Sequence, residues 1–445
     1  MLTMNRDRVF PIVVILTALA IRLVFGLIMF QGVNIAEVDQ WDDDWAYVGY
    51  SRSVLNMDFV NNPEKIEYDW PDLPRDGSSG VAPGYPMILA VCLAGTDNYQ
   101  NIVFLNSIIG ALTALVIFSI VKKNTGNQII ALGAGLWYSV YMLDLRMSFH
   151  ALKEPVVSLL IMLIVMVISY NCSRRWLQSL LVSLIVAALI HTDERYVVAI
   201  PFLAVALLLI HGKVAIKWIA IGVITIALLS LPWFVRNYRY YNKPVVITER
   251  ASGFIDKILG HKADDTPSIY FGMDLSEAQL DSLRTGKQVM SIHERAQHSI
   301  SNALKKGLRP RNFNTFEKVY YNTINLWRAW SLKPYLYATG YATEGPWSLS
   351  HNLVSVLQFG LLLPFFFVGV IRGLWRKNRM VVMVLSIVLA NWITHAVLTF
   401  GIPRYRLPID PLIICVSFYF IASMWKNIKC SYRKQAIDDK STAFS

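Results

Sequence analysis

The sequence predicts an all-α polytopic membrane protein of about ten transmembrane helices, with two large extracytoplasmic loops that contain short helices. Three observations carry this. First, 55% of the 445 residues are hydrophobic and only 16% are charged, with a mean hydropathy of +0.42. A soluble domain carries about 25% charged residues. Second, the shortfall is concentrated in repeated apolar runs of roughly 18 to 25 residues, enough to cross about 30 Å of hydrocarbon. Third, the short turns rich in Lys and Arg fall on one side of the membrane, as cytoplasmic loops do. This asymmetry also accounts for most of the net charge of +12, so the charge does not argue for nucleic acid. Cys92, Cys172, Cys415 and Cys430 stand at no motif spacing. Neither a disulfide framework nor a cysteine metal site is expected.

Taken in order, the chain begins with Arg6 and Arg8, which place the N-terminus in the cytoplasm. The first span, 9–31, is too long for the apolar region of a cleavable signal. Arg22 interrupts it. A mid-span arginine faces protein or a water-filled cavity, as a structural ion pair or as a functional group. Residues 32–98 form the first outer loop. Within it, 44–55 has no proline and no β-branched run, which predicts a short helix. Residues 61–80 are rich in Pro, Asp and Gly and read as irregular. Residues 82–94 form an apolar helix too short to span comfortably. Six further spans are expected at 99–121, 128–145, 155–170, 176–190, 197–211 and 215–234. Their cytoplasmic turns carry Lys122 and Lys123, Arg174 and Arg175, and Lys213 and Lys217. Residues 235–350 are too polar for a bilayer and are expected to form a small outer domain, with helices near 276–283 and 291–306. Spans at 352–371, 380–399 and 408–425 complete the bundle. The plan is thus an N-terminal transmembrane module (1–234), an extracytoplasmic helical domain (235–350), C-terminal transmembrane helices (351–428) and a cytoplasmic tail (429–445). Both termini are expected inside a plasma (inner) membrane.

Polar clusters recur at the outer ends of these spans. Asp39, Asp42, Asp43 and Asp44 lie in DQWDDDWAYVGYSRSVL (39–55). The others are Arg75 with Asp76, His150 with Lys153 and Glu154, His191 to Arg195, Arg236 with Asn237, and Arg404 and Arg406 with Asp410. One charge at a span end is commonly an interfacial anchor. Acids and arginines meeting at one depth suit a reaction at the water–lipid boundary. That reaction is displacement at a phosphate-linked carbon. Arginines clamp a phosphate with paired hydrogen bonds and stabilise it as a leaving group. A carboxylate takes the proton of an incoming hydroxyl or amine. A proton relay would instead place acids deep inside spans, where the ionisable residues are few: Arg22 and His395.

In order along the chain, these motifs resemble the GT-C glycosyltransferases, in particular bacterial relatives of protein O-mannosyltransferases and lipid A aminoarabinose transferases. DDDWAYVGYSRSVL is similar to the family's first-loop motif through Asp43, Tyr47, Ser51 and Arg52. APGYPMILA resembles its PGYP segment. KEP at 153–155 resembles the Thr-Glu step that opens the fourth span, with Lys153 where Thr is usual. DERY resembles the small-Arg-Pro step after the fifth span, with Tyr196 where Pro is common. LPWFVRNY resembles PWxxRN, and RYRLPIDP resembles RYRxPxxP. The resemblance runs over residues 9–425. It implies an inverting transferase that moves a single sugar from a polyprenyl-phosphate donor to an extracytoplasmic glycan, lipid or protein. Asp43 would be the catalytic base, with Asp44 as the alternative because the run of acids leaves the register open by one. Arg195, Arg236, Arg404 and Arg406 would bind the donor phosphate. Tyr47, Tyr85, Lys153 and Glu154 would line the pocket or the acceptor side. Glu154 with His150 and His191 is the candidate set for a divalent metal. Two other classes stay open. A transporter or flippase of lipid-linked saccharides predicts paired, Gly/Pro-broken spans, and no such pairing is visible. A polymerase or ligase of lipid-linked oligosaccharides would share the outer site but use a diphosphate donor.

Overall fold

The computed structural model describes residues 6–29, 44–57, 81–95, 98–170, 174–242, 244–248, 315–327, 353–399, 401 and 403–442. These are mostly helices joined by short turns. α1 (Arg6–Met29) is followed by α2 (Asp44–Leu55) and α3 (Gly84–Leu93), which pack on each other. α4 (Gln100–Thr125) stops at Gly126, which has φ 68°, a left-handed backbone that glycine adopts without strain. Asn127 then caps α5 (Gln128–Ser139) by accepting from the backbone N–H groups of Ile129 and Ile130, donors the helix itself leaves unpaired. α6 (Met142–Met147), α7 (Glu154–Ser169), α8 (Arg175–Thr192), α9 (Ala199–His211) and α10 (Ala215–Tyr241) follow. Within the polar insertion the described helix is α11 (Thr315–Trp327). α12 (Leu362–Trp375), α13 (Arg379–Trp392) and α14 (Asp410–Thr442) complete the bundle. The helices expected near 276–283 and 291–306 lie outside the described residues.

Seven stretches among the described residues are long and apolar enough to cross a membrane. One of them, Glu194–Arg239, contains both α9 and α10, so the seven hold eight of the expected spans. The other two expected spans are shorter helices: α7 with 16 residues and α5 with 12. The chain is an integral membrane protein of the expected all-α class. The main apolar core joins α4, α5, α7, α9, α13 and α14. Outside it, α8, α9, α10 and α12 expose many Leu, Ile, Val and Phe side chains, a surface made for lipid rather than water.

One expected span is broken. The apolar run 128–145 does not continue as one helix: α5 ends at Ser139, Tyr141 is extended, and α6 restarts at Met142. The reason is the charge of Arg22. Its guanidinium is fully buried and pairs with Asp144 of α6, also fully buried. It also donates to the carbonyls of Tyr138 (3.5 Å) and Ser139 (3.4 Å) at the C-terminal end of α5, where the last carbonyls lack full helical partners. The Tyr138 carbonyl also accepts from the Tyr141 N–H at 3.1 Å. Tyr138 Oη donates to the other Asp144 oxygen at 2.7 Å. A Cβ at Gly110 would lie 2.1 Å from Arg22 Nε, so α4 admits the arginine only because position 110 has no side chain.

The two ends of the bundle differ. At the basic end, Lys122 pairs with Asp7 at 2.6 Å, Lys123 lies over the Tyr170 ring, and Arg175 contacts His211. At the opposite, loop end stand α2, α3 and the groups described next.

Candidate active site at the loop end

α7 opens with Glu154 and Pro155. Proline in the first turn loses no helical hydrogen bond, and a carboxylate there is favoured by the helix dipole. Glu154 is 1% exposed, and its Oε1 accepts from Arg404 Nε at 2.7 Å. Its Oε2 is buried with no hydrogen-bond partner among the described residues. Beside it, Lys153 Nζ lies 3.2 Å from Asp193 Oδ1 and 3.7 Å from Glu194 Oε2.

Asp193 stands where α8 ends and the 3₁₀ turn Glu194–Val198 begins, and it caps that turn by accepting from Arg195 N. Its carboxylate also takes two hydrogen bonds from the Arg195 side chain, 2.8 Å from Nε and 2.6 Å from Nη2. Such a fork is among the strongest side-chain pairings. Burial alone would raise the Asp193 pKa. Arg195 and Lys153 outweigh burial and hold the carboxyl well below the usual carboxylate range.

Tyr405 joins these groups. The Arg195 guanidinium lies 4.3 Å from its ring centroid and that of Arg404 lies 6.0 Å away. His395 stacks on the same ring at 4.7 Å. Lys153, Glu154, Asp193, Glu194, Arg195, His395, Arg404 and Tyr405 therefore form one network. They come from the start of α7, the end of α8, the turn after α13 and the short helix Pro403–Arg406.

The segment between α1 and α4 docks against the same place. Tyr47 of α2 and Tyr85 of α3 are buried and meet edge to face at 5.0 Å. α3 approaches the end of α8 so closely that a Cβ at Gly84 would lie 2.7 Å from the His191 carbonyl oxygen. This brings the loop beside Asp193. Arg75, Asp76, Asp43 and the other acids before α2 lie outside the described residues, as does the side chain of Asp44.

The remaining expected positions divide. Arg236 lies over the Trp233 ring at 4.6 Å and donates to Asn237 Oδ1 at 2.8 Å. Asn237 in turn ties the carbonyls of Val245 and Ile247 to the end of α10. Trp233 and Tyr50 of α2 share a small apolar cluster, so Arg236 stands beside the first-loop helix. Arg406 is 1% exposed and belongs to a different set. It donates to Asp410 (2.8 Å) and to the Leu326 carbonyl (3.2 Å), and it lies over Phe359. Tyr141 Oη donates to the other Asp410 oxygen at 2.8 Å. Asn106 donates to the His150 carbonyl, and His191 Nδ1 is 2.8 Å from the Ala187 carbonyl. Among the described residues no three His, Cys, Asp or Glu side chains gather as metal ligands, so His150, His191 and Glu154 do not form such a set by themselves.

Asp193 and Glu194 fall in the 191–195 cluster, Tyr405 falls in RYRLPIDP, and His395 is a mid-span ionisable residue, but none of them is assigned a role in the site from the sequence. Tyr405 carries a signal, since Arg404 and Arg406 flank it, and Asp193 and Glu194 carry one as the acids just before Arg195. His395 stands alone in an apolar run, so its ionisable side chain inside a span is its one signal.

No protein-family model and no curated protein matches the chain. Solved structures do. The archaeal oligosaccharyltransferase AglB from Archaeoglobus fulgidus, in complex with an inhibitory peptide and a dolichol-phosphate, matches with a TM-score of 0.51 at 12% identity. The match covers 97% of this chain and 52% of that one. The Archaeoglobus fulgidus oligosaccharyltransferase tethered with an acceptor peptide containing the NVT sequon matches with a TM-score of 0.50 at 12% identity, over 94% and 50%. The chain shares its fold with these oligosaccharyltransferase structures. The chain spans about half the length of these structures, and at such identity the likeness is one of fold.

Proposed function

We propose that this chain is a membrane glycosyltransferase that moves a single sugar, with inversion, from a polyprenyl-phosphate donor to an extracytoplasmic acceptor. Its active site is the loop end, and its subtype is that of the protein O-mannosyltransferase and aminoarabinose transferase relatives. The observation that carries the reading is the network in which Arg195 and Arg404 flank Tyr405 while Asp193 and Glu154 hold them. In this reading the donor phosphate sits against Arg404 and Arg195, with Arg236 approaching from α10. The acceptor hydroxyl or amine attacks the anomeric carbon. Asp43, or Asp44 one register on, takes its proton. The bond from that carbon to the phosphate oxygen breaks, and polyprenyl phosphate departs with the negative charge that the arginines stabilise. Tyr47 and Tyr85 line the approach. Glu154 and Glu194 have carboxylate oxygens without hydrogen-bond partners among the described residues, and Glu154 could offer one to a divalent ion whose further ligands would come from the acids at 39–44. The shared fold supports the reading, and the similar structures are oligosaccharyltransferases, one solved with a dolichol-phosphate.

That last fact also supports a second reading, transfer of an oligosaccharide from a diphosphate-linked lipid. One experiment separates the two. The full chain is reconstituted in liposomes and offered a polyprenyl-phosphate sugar or a polyprenyl-diphosphate oligosaccharide. Release of polyprenyl phosphate from the first donor is expected. Asp43→Asn or Asp44→Asn lowers that transfer by about 10²–10⁴-fold, the size of a general-base contribution, without changing the folding of the protein. If both variants keep full activity, the proposed base is wrong. Turnover of the diphosphate donor alone moves the chain to the second reading.

A further inference from the structure

At the basic end, opposite the proposed active site, α8, α9 and α10 enclose an apolar cleft. α10 packs along α8, whereas α9 packs along α13, so α9 and α10 diverge and leave space between them. The cleft is open, with ≈ 690 Å³ of empty space when the open side is included. Val182, Val186, Leu203, Leu207 and Ile226 line it. The polar side chains on its walls turn to backbone. Gln178 donates to the Val167 carbonyl at 2.8 Å, Ser179 to Trp218 at 2.7 Å, and Ser183 to Ser179 at 2.8 Å. An occupant therefore meets an apolar interior.

The mouth is different. Arg175 and His211 stand there, with Arg175 Nη1 2.6 Å from His211 Nδ1. The exposed cations Arg174, Lys213 and Lys217 lie on the same turns. Among the described residues no carboxylate pairs with Arg175, whose polar contact is the His211 ring. Trp218 lines the cleft and keeps its Nε1 donor buried, with no hydrogen-bond partner among the described residues. Lys217 Nζ stands 5.8 Å from the centroid of that ring. An apolar slot open to the bilayer, with a cationic lip where lipid headgroups lie, is complementary to a lipid with an anionic head. Basic pockets between transmembrane helices recognise lipid phosphates in this way.

We propose that the α8–α9–α10 cleft binds an anionic phospholipid of the surrounding leaflet, with an acyl chain in the slot and the phosphate against Arg175. The site shares no residue with the loop-end network and does not rest on the glycosyltransferase reading. The test uses the full chain in nanodiscs made from equal amounts of phosphatidylglycerol and phosphatidylcholine with the same acyl chains. Lipid retained on the released protein is counted by native mass spectrometry. Phosphatidylglycerol is expected to be retained in preference to phosphatidylcholine. Arg175→Gln lowers its retention about tenfold, the loss of a single charge-assisted hydrogen bond. Ala204→Trp, which fills the slot without changing charge, lowers it at least as far while the protein elutes as the parent does. Equal retention of the two lipids overturns the proposal, as does phosphatidylglycerol retention unchanged in both variants. A third arm adds polyprenyl phosphate. Its retention in place of phosphatidylglycerol overturns the phospholipid assignment and gives the slot to that lipid.

Discussion

Arg22 with Asp144 and Arg404 with Glu154 are the same two kinds of charge in two settings. In the interior pair both side chains are fully buried, and the arginine spends its terminal nitrogens on Asp144 and on the backbone carbonyls of Ala18, Tyr138 and Ser139. Asp144 is used on both oxygens, by Arg22 and by Tyr138. At the loop end, Arg404 is 15% exposed and Glu154 has an oxygen without a hydrogen-bond partner among the described residues. In the interior set both carboxylate oxygens are used and the atom left over is a donor, Arg22 Nε, buried without a hydrogen-bond partner among the described residues; its work is to hold α1, α5 and α6 in register. The loop-end set retains capacity at a place that a headgroup can reach. Structural ion-pair networks gather charges as functional sites do, so the spare capacity at the loop end is what separates the two sets. Arg406 with Asp410 resembles the interior pair, with each Asp410 oxygen used and the guanidinium pressed on Phe359. It reads as a brace beside the site.

The comparison is broken most sharply by removing one half of the interior pair. Asp144→Ala leaves the Arg22 charge buried without an acid, and a destabilisation of about 3–5 kcal/mol is expected. Thermal unfolding in detergent measures it. Joint replacement of both residues, Arg22→Met with Asp144→Leu, should restore most of the loss, because an apolar pair avoids the desolvation cost. A harmless Asp144→Ala would mean that the interior pair does not brace the bundle.

The next effect, on rate rather than stability, comes from Arg404→Lys. Lysine keeps a positive charge beside Glu154 but cannot reproduce the planar fork. Transfer should fall by about 10²-fold, the size expected for removing one donor to a developing anion, while the unfolding temperature barely moves. Steady-state transfer and a melting curve on the same preparation decide it. A stability loss as large as that of Asp144→Ala, with transfer undiminished, would make the two pairs alike after all.

What the sequence revealed follows from the range of each signal. Apolar runs and basic turns are local, so the bundle, the short α2 and the half-length α3 were legible. The break in 128–145 was not. That run is apolar enough to continue, and what interrupts it is a partner more than a hundred residues away. The motifs marked Lys153, Glu154, Arg195 and Arg404 but not their pairings: Glu154 and Arg404 are 250 positions apart. Nor did they separate Arg404 from Arg406. Residues two apart on a helical turn point to different sides, so one motif supplied both a site arginine and a brace. RYRLPIDP contains Tyr405, but nothing local shows that its ring meets the Arg195 and Arg404 guanidinium groups and the His395 ring.

The smallest effect tests whether the Asp193–Arg195 fork is fixed or titrates. Asp193→Asn removes a hydrogen-bonded charge that is 1% exposed, and hydrogen bonds to charged groups contribute about 1.5–3 kcal/mol. Its folded-state pKa is depressed, so the stabilisation is fully present above the unfolded carboxyl value, near about 3.9, and is lost as pH falls through the folded value. That folded value lies well below the carboxylate range. The melting-temperature difference between parent and Asp193→Asn should therefore be the same at about pH 8 and about pH 5, and shrink only below about pH 4 as the unfolded carboxyl takes up its proton. A difference that has already vanished by pH 5 would mean a raised pKa and an acid without its cations. If the difference persists, any acidic limb in the pH–rate profile of transfer belongs to another carboxylate, and the acids at 39–44 are the ones to test next.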